Sequence, residues 1–244
     1  MKSFIYILLT SLTFLVVGCQ NESEEIRLIN QAERLFDAYP DSVITTLDSI
    51  PLPEEMSPRL IARWCMLYAR AADKIEDEMP YTNQLEIALK YYQKKKMREE
   101  EAEIGLYLGR SYVEDKEYEK AMRTYSDALK VALAIKDYNR AGYICSYMGD
   151  LYEVDLRYIL AAEKYKESGK YFHLANNTTS YVRAFVNEGR SYMSVDSNYL
   201  ALASLKQAEV IMDSLNVENV KTYVYNGLGN IYNEIGRASC RERV

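Results

Sequence analysis

The sequence predicts an all-α protein, a solenoid of antiparallel helix pairs with a 40-residue period. Three observations predict it. Gly recurs at 109, 149, 189 and 229, Tyr at 112, 152, 192 and 232, and Ala at 121, 161 and 201, always at that one spacing. With 10 Gly and 5 Pro in 244 residues, little is left for tight-turned sheets or long loops. The 23 tyrosines lie in no low-complexity run, so they are expected to hold structural positions. A period of this size marks units that bury their apolar faces against one another.

The first element is "MKSFIYILLTSLTFLVVGCQ", apolar from Phe4 to Val17 and then Gly18-Cys19. The run is short for a membrane span and reads as a signal peptide, residues 1–18. "VVGC" resembles the bacterial lipobox. That resemblance implies lipidation of Cys19, which becomes the first residue of the mature chain, and two acyl chains give stable anchoring. An ordinary signal peptide and an uncleaved anchor are the other readings. Residues 19–25 then form an acidic tether. It is similar to the short signals that send some Gram-negative lipoproteins to the surface, and it would serve equally as a solvated linker. The implied place is the cell envelope, lipid-anchored at the outer membrane, on its periplasmic or surface face.

Residues 26–97 read as degenerate helical repeats. "EIRLINQAERLFDAYPDSVITTLDSIP" gives one helix pair, with Asp41-Ser42 near a helix start after Pro40. "ARWCMLYARAADKI" and "YTNQLEIALKYYQKK" give a second, because Ala69, Ala72 and Ala88 stand one full period before Gly109, Tyr112 and Ala128. Terminal repeats are expected to be atypical. Residues 98–234 are regular: Tyr125, Tyr165 and Leu205 share one register, and Ala128, Ser168 and Ala208 another. The last repeat is cut short.

This pattern, G-x-x-Y, then Ala nine residues on, an aromatic four later and a small residue three later, resembles the tetratricopeptide repeat (TPR). The resemblance implies two antiparallel helices per unit. The small residue of helix A admits helix B, and the Ala of helix B faces the next unit. Because 40 exceeds the family's usual 34, each helix should be longer by most of a turn.

The closing residues 235–244, "IGRASCRERV", break the register. Arg241 stands where Ala121, Ala161 and Ala201 predict a small residue. The stretch is also the direct translation of ATC GGA AGA GCG TCG TGT AGG GAA AGA GTG, which resembles a common sequencing adapter. It is expected to be foreign, with the native chain continuing past Glu234; a frayed native terminus is the other reading. Setting the tail aside moves the formal charge from −6 to −8, and removing Lys2 with the signal peptide leaves −9.

Such an acidic chain, whose only basic run is "KKK" at 94–96, does not predict a nucleic-acid partner in this segment. Catalytic chemistry is not predicted either. There is no G-x-S-x-G, H-E-x-x-H or phosphate-binding Gly loop. The single His173 falls near a helix end, where the dipole favours it, and no metal or cofactor is expected. Cys65 and Cys145, two periods apart in one inward register, should be separate buried thiols. "DSV" (41–43), "DSI" (48–50) and "DSL" (213–215) resemble acceptor sites of a bacterial O-glycosylation system and read equally as Asp-Ser at helix ends.

The family's groove-facing register lies two, five and nine positions into helix A. Position two gives Glu103, Tyr143, Arg183 and Tyr223; position five gives Leu106, Ser146, Val186 and Asn226; position nine gives Arg70, Arg110, Asp150, Arg190 and Asn230. The candidate partner site drawn from these is Arg70, Arg110, Tyr143, Asp150, Arg183, Arg190, Tyr223, Asn226 and Asn230, a surface of the residue types enriched at hot spots. The family's Lys/Asn clamp for a peptide C-terminus is missing. The expected function is a lipid-anchored scaffold that binds a protein or peptide partner in the envelope and touches the membrane through its N-terminal lipid. Two alternatives are the sensory half of a membrane-spanning signal transducer and a glycan-binding lipoprotein. The second would need exposed Trp, and the only one, Trp64, lies inside a helix.

Overall fold

The computed structural model describes residues 23–50 and 55–241, with side chains through residue 237. The expected signal peptide, Cys19 and the start of the tether lie outside the described residues. Eleven α-helices are present among the described residues, and no strand. In chain order they are α1 (Glu24–Leu35), α2 (Pro40–Asp48), α3 (Pro58–Ile75), α4 (Thr82–Lys95), α5 (Arg98–Glu114) and α6 (Tyr118–Ala134). They continue as α7 (Tyr138–Val154), α8 (Tyr158–Leu174), α9 (Thr178–Met193), α10 (Asn198–Ser214) and α11 (Lys221–Arg241). Each helix packs on its chain neighbours; α1 also meets α3, α3 meets α5, α5 meets α7 and α9 meets α11, and α7 reaches α9 through Tyr143 and Ser180. This is the expected stack of antiparallel pairs. Glu24 and Glu25, expected in the tether, form the first turn of α1, where acidic side chains favour the helix dipole.

The repeat has a finer metre, at half the full period. Positive φ occurs at Glu76, Lys96, Lys116, Lys136, Leu156, Asn176, Asp196 and Asn216, twice in every repeat and evenly spaced. From Lys96 onward each marks the same turn. At the first regular unit Lys116 donates its N–H to Val113 O at 3.0 Å and Glu117 donates to Tyr112 O at 2.8 Å. Those two bonds are a Schellman motif, which satisfies the last carbonyls of one helix. The next residue but one already belongs to the following helix, and Ala121 N donates back to Glu117 O at 3.0 Å. Asp137 and Asn177 add side-chain caps, accepting from the N–H groups of Arg140 and Ser180. From Arg98 on, a 17-residue helix plus a three-residue turn generates the half-period, except at α9, where a 16-residue helix is followed by a four-residue turn.

The small residues do what the pattern requires. Ala121, Ala161 and Ala201 are fully buried, and so are the side chains of Tyr125, Tyr165 and Leu205. A Cβ on Gly109 would run into the Tyr125 ring; on Gly149 it would lie 2.8 Å from Tyr165, and on Gly189 2.8 Å from Leu205. Helix A and helix B touch at these points closely enough to leave no room for a methyl group. Cys65 and Cys145 are buried free thiols. Burial pushes both thiols up, Cys145 to about 12, which makes them inert at neutral pH.

Two features set the C-terminal end apart. Helix α11 runs straight through position 236, where the metre predicts a turn. A Cβ on Gly229 would meet nothing within 4 Å, although its counterparts 109, 149 and 189 are all in tight contact.

Candidate functional site

The odd-numbered helices line one face of the solenoid, and three stations of equivalent register follow one another along it. The first is a cavity of about 700 Å³ among Arg63, Met66 and Arg70 of α3, Tyr91 and Tyr92 of α4, and Phe36 just past the end of α1. Arg63 donates to Glu33 Oε1 at 2.7 Å and to Asn30 Oδ1 at 2.9 Å. Tyr92 donates its hydroxyl to Ala62 O at 3.0 Å.

The second station is closed by its own side chains. Glu103 of α5 is 8% exposed. Its carboxylate accepts Nε and Nη2 of Arg70 at 2.6 and 2.7 Å, Nη2 of Arg140 at 3.1 Å and the Tyr107 hydroxyl at 3.3 Å. Arg140 is shared with Asp137. Burial disfavours the Glu103 charge, but the Arg70 bonds and the Arg140 field outweigh it and hold the carboxyl below its ordinary value. Bonding to Glu103 in turn raises Arg70. Bidentate Arg–carboxylate pairing of this kind is the strong form of the contact.

The third station is open. It is a cavity of about 480 Å³ lined by Tyr143, Ser146 and Tyr147 of α7, Phe172 of α8, Ser180, Arg183, Ala184 and Asn187 of α9, and Tyr223 of α11. Tyr143 stands edge-on to Phe172 with ring centroids 4.9 Å apart, and its hydroxyl lies 3.4 Å from Ser180 Oγ. Tyr223 donates its hydroxyl to Asn187 and accepts Nη1 of Arg190 at 3.3 Å.

Three of the nine candidate residues, Tyr143, Arg183 and Tyr223, thus meet in one pocket, and Arg190 braces it through Tyr223. Arg70 lines the first cavity and is tied to Glu103 of the closed station. Arg110 pairs with Asp73 and lies with its guanidinium carbon 5.6 Å from the Tyr147 ring centroid. With Asp150 it lines a smaller hollow of about 240 Å³, where Asp150 accepts the Tyr165 hydroxyl at 2.5 Å. Asn226 and Asn230 are exposed on α11 and do not line the pocket. Position five points inward in two repeats, where Leu106 and Val186 are buried.

Reading the register at only three positions missed Tyr147 and Asn187, which share position six and carry the repeat spacing themselves. It also passed over Phe172, which comes from the end of a helix B. Elsewhere, Trp64 is 5% exposed and donates Nε1–H to Leu47 O at 3.2 Å, so it presents no sugar-stacking face. His173 sits in the last turn of α8 against the Tyr181 ring. The serines of two of the Asp-Ser sites bond locally: Ser49 Oγ to Thr46 O and Ser214 Oγ to Ile211 O. Among the described residues no group of three His, Cys, Asp or Glu is placed to hold a metal, and no helix is long and apolar enough to cross a membrane.

Solved structures share this architecture. The fold is a TPR-like solenoid. The apo form of RapI superposes with a TM-score of 0.65 at 11% identity over 88% of this chain and 84% of its own. A Podosopora anserina protein of nearly identical TPR-like repeats gives 0.56 at 13% identity over 80% and 99%. Bacillus thuringiensis PlcR, in complex with the peptide PapR7 and DNA, gives 0.53 at 14% identity over 86% and 77%. At these identities the likeness is one of fold. No protein-family model and no curated protein matches the chain.

Proposed function

We propose that this protein is a non-enzymatic scaffold that captures an extended peptide segment of a partner protein, and that the open station between α7, α9 and α11 is its seat. One observation carries the reading. Where the middle station is filled by Glu103, Tyr107 and Arg140, the next repeat places Tyr143, Tyr147 and Ser180 around an open space. Aromatic walls supply contact area at low entropic cost, and hydroxyl and amide groups supply orientation. The neighbour PlcR was solved with a peptide bound, which agrees with this use of the fold.

The setting belongs to the same proposal. Cys19 carries lipid, residues 19–25 lead into α1, and the repeats work in the cell envelope at the outer membrane. Residues 235–244 are foreign, and the unpartnered Gly229 supports this, since its register calls for a helix B. Cys19→Ala should abolish lipid labelling; retention of that variant in carbonate-washed membranes would favour an uncleaved anchor instead. Genomic resequencing should replace "RASCRERV" with a helix bearing a small residue at 241.

For the groove, a displayed heptapeptide library is panned on the full chain and the selected peptides are tested on Tyr143→Ala and Tyr223→Ala. Both changes should weaken binding at least about tenfold, the loss of one aromatic contact surface, while thermal melts show a cooperatively folded protein of only slightly lower stability. Undiminished binding by both variants would remove the station from the proposal.

A further inference from the structure

The arginines of this face are not equivalent. Arg63 is held by Glu33, Arg70 by Glu103, Arg110 by Asp73, and Arg140 by Glu103 and Asp137. Arg190 is engaged by Tyr223 and Asn187. Arg183 alone of these six makes no hydrogen bond or ion pair with any described residue, and it is exposed inside the open station. No acidic side chain lines that station, while Tyr143, Ser146, Ser180 and Asn187 surround it with hydroxyl and amide groups. In a chain of net charge −6, an uncompensated guanidinium in a ring of donors is a local exception.

We infer that the open station takes a carboxylate carried next to an apolar side chain, with the Arg183 guanidinium as its counter-charge. This rests on the peptide-binding reading of the same station. A planar guanidinium matches a carboxylate with two parallel N–H···O bonds. The Tyr143–Phe172 pair provides the apolar wall beside it. In the middle station the same chemistry is satisfied internally, because Arg70 already grips the Glu103 carboxylate. The ligand's carboxylate would do from outside what Glu103 does from within.

The test uses the detergent-solubilised full chain and four fluorescein-labelled heptapeptides. The first has Phe-Asp-Phe in a Gly/Ser frame with both ends blocked. The second replaces Asp by Asn, the third replaces it by Lys, and the fourth is the Asn peptide with a free C-terminal carboxylate. Anisotropy should show the Asp peptide, the free-carboxylate peptide or both bound roughly tenfold or more tightly than the blocked Asn peptide, the scale of a charged hydrogen bond. Which of the two gains tells a side-chain carboxylate from a chain end. In Arg183→Gln the gain should vanish, and in Arg183→Lys it should return in part. Equal binding of all four peptides, binding of none, or a gain that survives Arg183→Gln overturns the inference. If the neutral and Lys peptides bind as well as the acidic ones and lose affinity on Tyr143→Ala, the peptide groove stands and only the carboxylate is lost.

Discussion

The middle and open stations are one repeat apart and use the same backbone. Glu103 and Tyr143 occupy one register, as do Tyr107 and Tyr147, Ala132 and Phe172, Arg140 and Ser180. The first member of each pair belongs to a site that satisfies itself; the second belongs to a site with an open space and a free cation. The repeat fixes where side chains point. Substitution within it decides whether a position holds the stack together or faces a partner. That division follows from the cost of burying charge: Glu103 is tolerated inside only because two arginines and a tyrosine hydroxyl meet it.

The largest effect should come from breaking the closed station. Glu103→Ala leaves Arg70 and Arg140 without their shared acceptor. Chemical denaturation should show a loss of about 3 kcal/mol, at the low end for a broken buried pair, because Arg70 keeps an exposed flank and water can reach it. The Glu103 carboxyl lies below its ordinary value of 4.5, so its contribution is present above that pH and is lost as pH falls through the lowered folded value. The variant should therefore lose less stability than wild type on acidification below 4.5. A variant that melts like wild type would show the network to be ornamental.

Next comes a matched pair of glycines. Gly109→Ala puts a methyl group into the Tyr125 ring and should cost about 2–3 kcal/mol by overpacking. Gly229→Ala, in the same register with nothing nearby, should be neutral or gain up to about 1 kcal/mol from helix propensity. Equal effects in thermal melts would mean that register does not determine packing here.

A third comparison runs the other way. Glu188 is buried at a position that holds Leu108, Met148 and Leu228 in the other repeats. Burial raises its carboxyl, against the opposing pull of Lys166 and a Ser204 hydrogen bond. A raised folded value means that stability is full below the ordinary value and is lost as pH rises through the raised one. Glu188→Leu should therefore gain about 1–2 kcal/mol at neutral pH, and the gain should shrink below pH 4.5. The smallest effect concerns the turns. Leu156 is 71% exposed at a left-handed position, and Leu156→Gly should gain about 0.5 kcal/mol, the relief of steric strain less the added chain entropy. A loss on Leu156→Gly would point to a contact that the apolar side chain makes.

The helix pairs and their tight points were legible because each depends on a residue type at a fixed spacing, as with Gly109 and Tyr125. The half-period metre was not, because its left-handed turns carry Lys116, Leu156 and Asn216 rather than a diagnostic Gly. The groove was half legible. Register placed Arg70, Arg110 and Arg183 on one face alike. What separates them is the reach of the first two into a neighbouring repeat, to Glu103 and Asp73, which periodicity does not encode.

Hydrogen–deuterium exchange of the full chain, with and without a heptapeptide selected by panning, tests the difference between the two stations most directly. Bound peptide should slow exchange in α9 around 183–187 and in α11 around 223, while α5 around 103–107 stays as in the free protein. Protection centred on 103–107, or no change along any of the odd-numbered helices, would contradict the assignment of the open station as the binding seat.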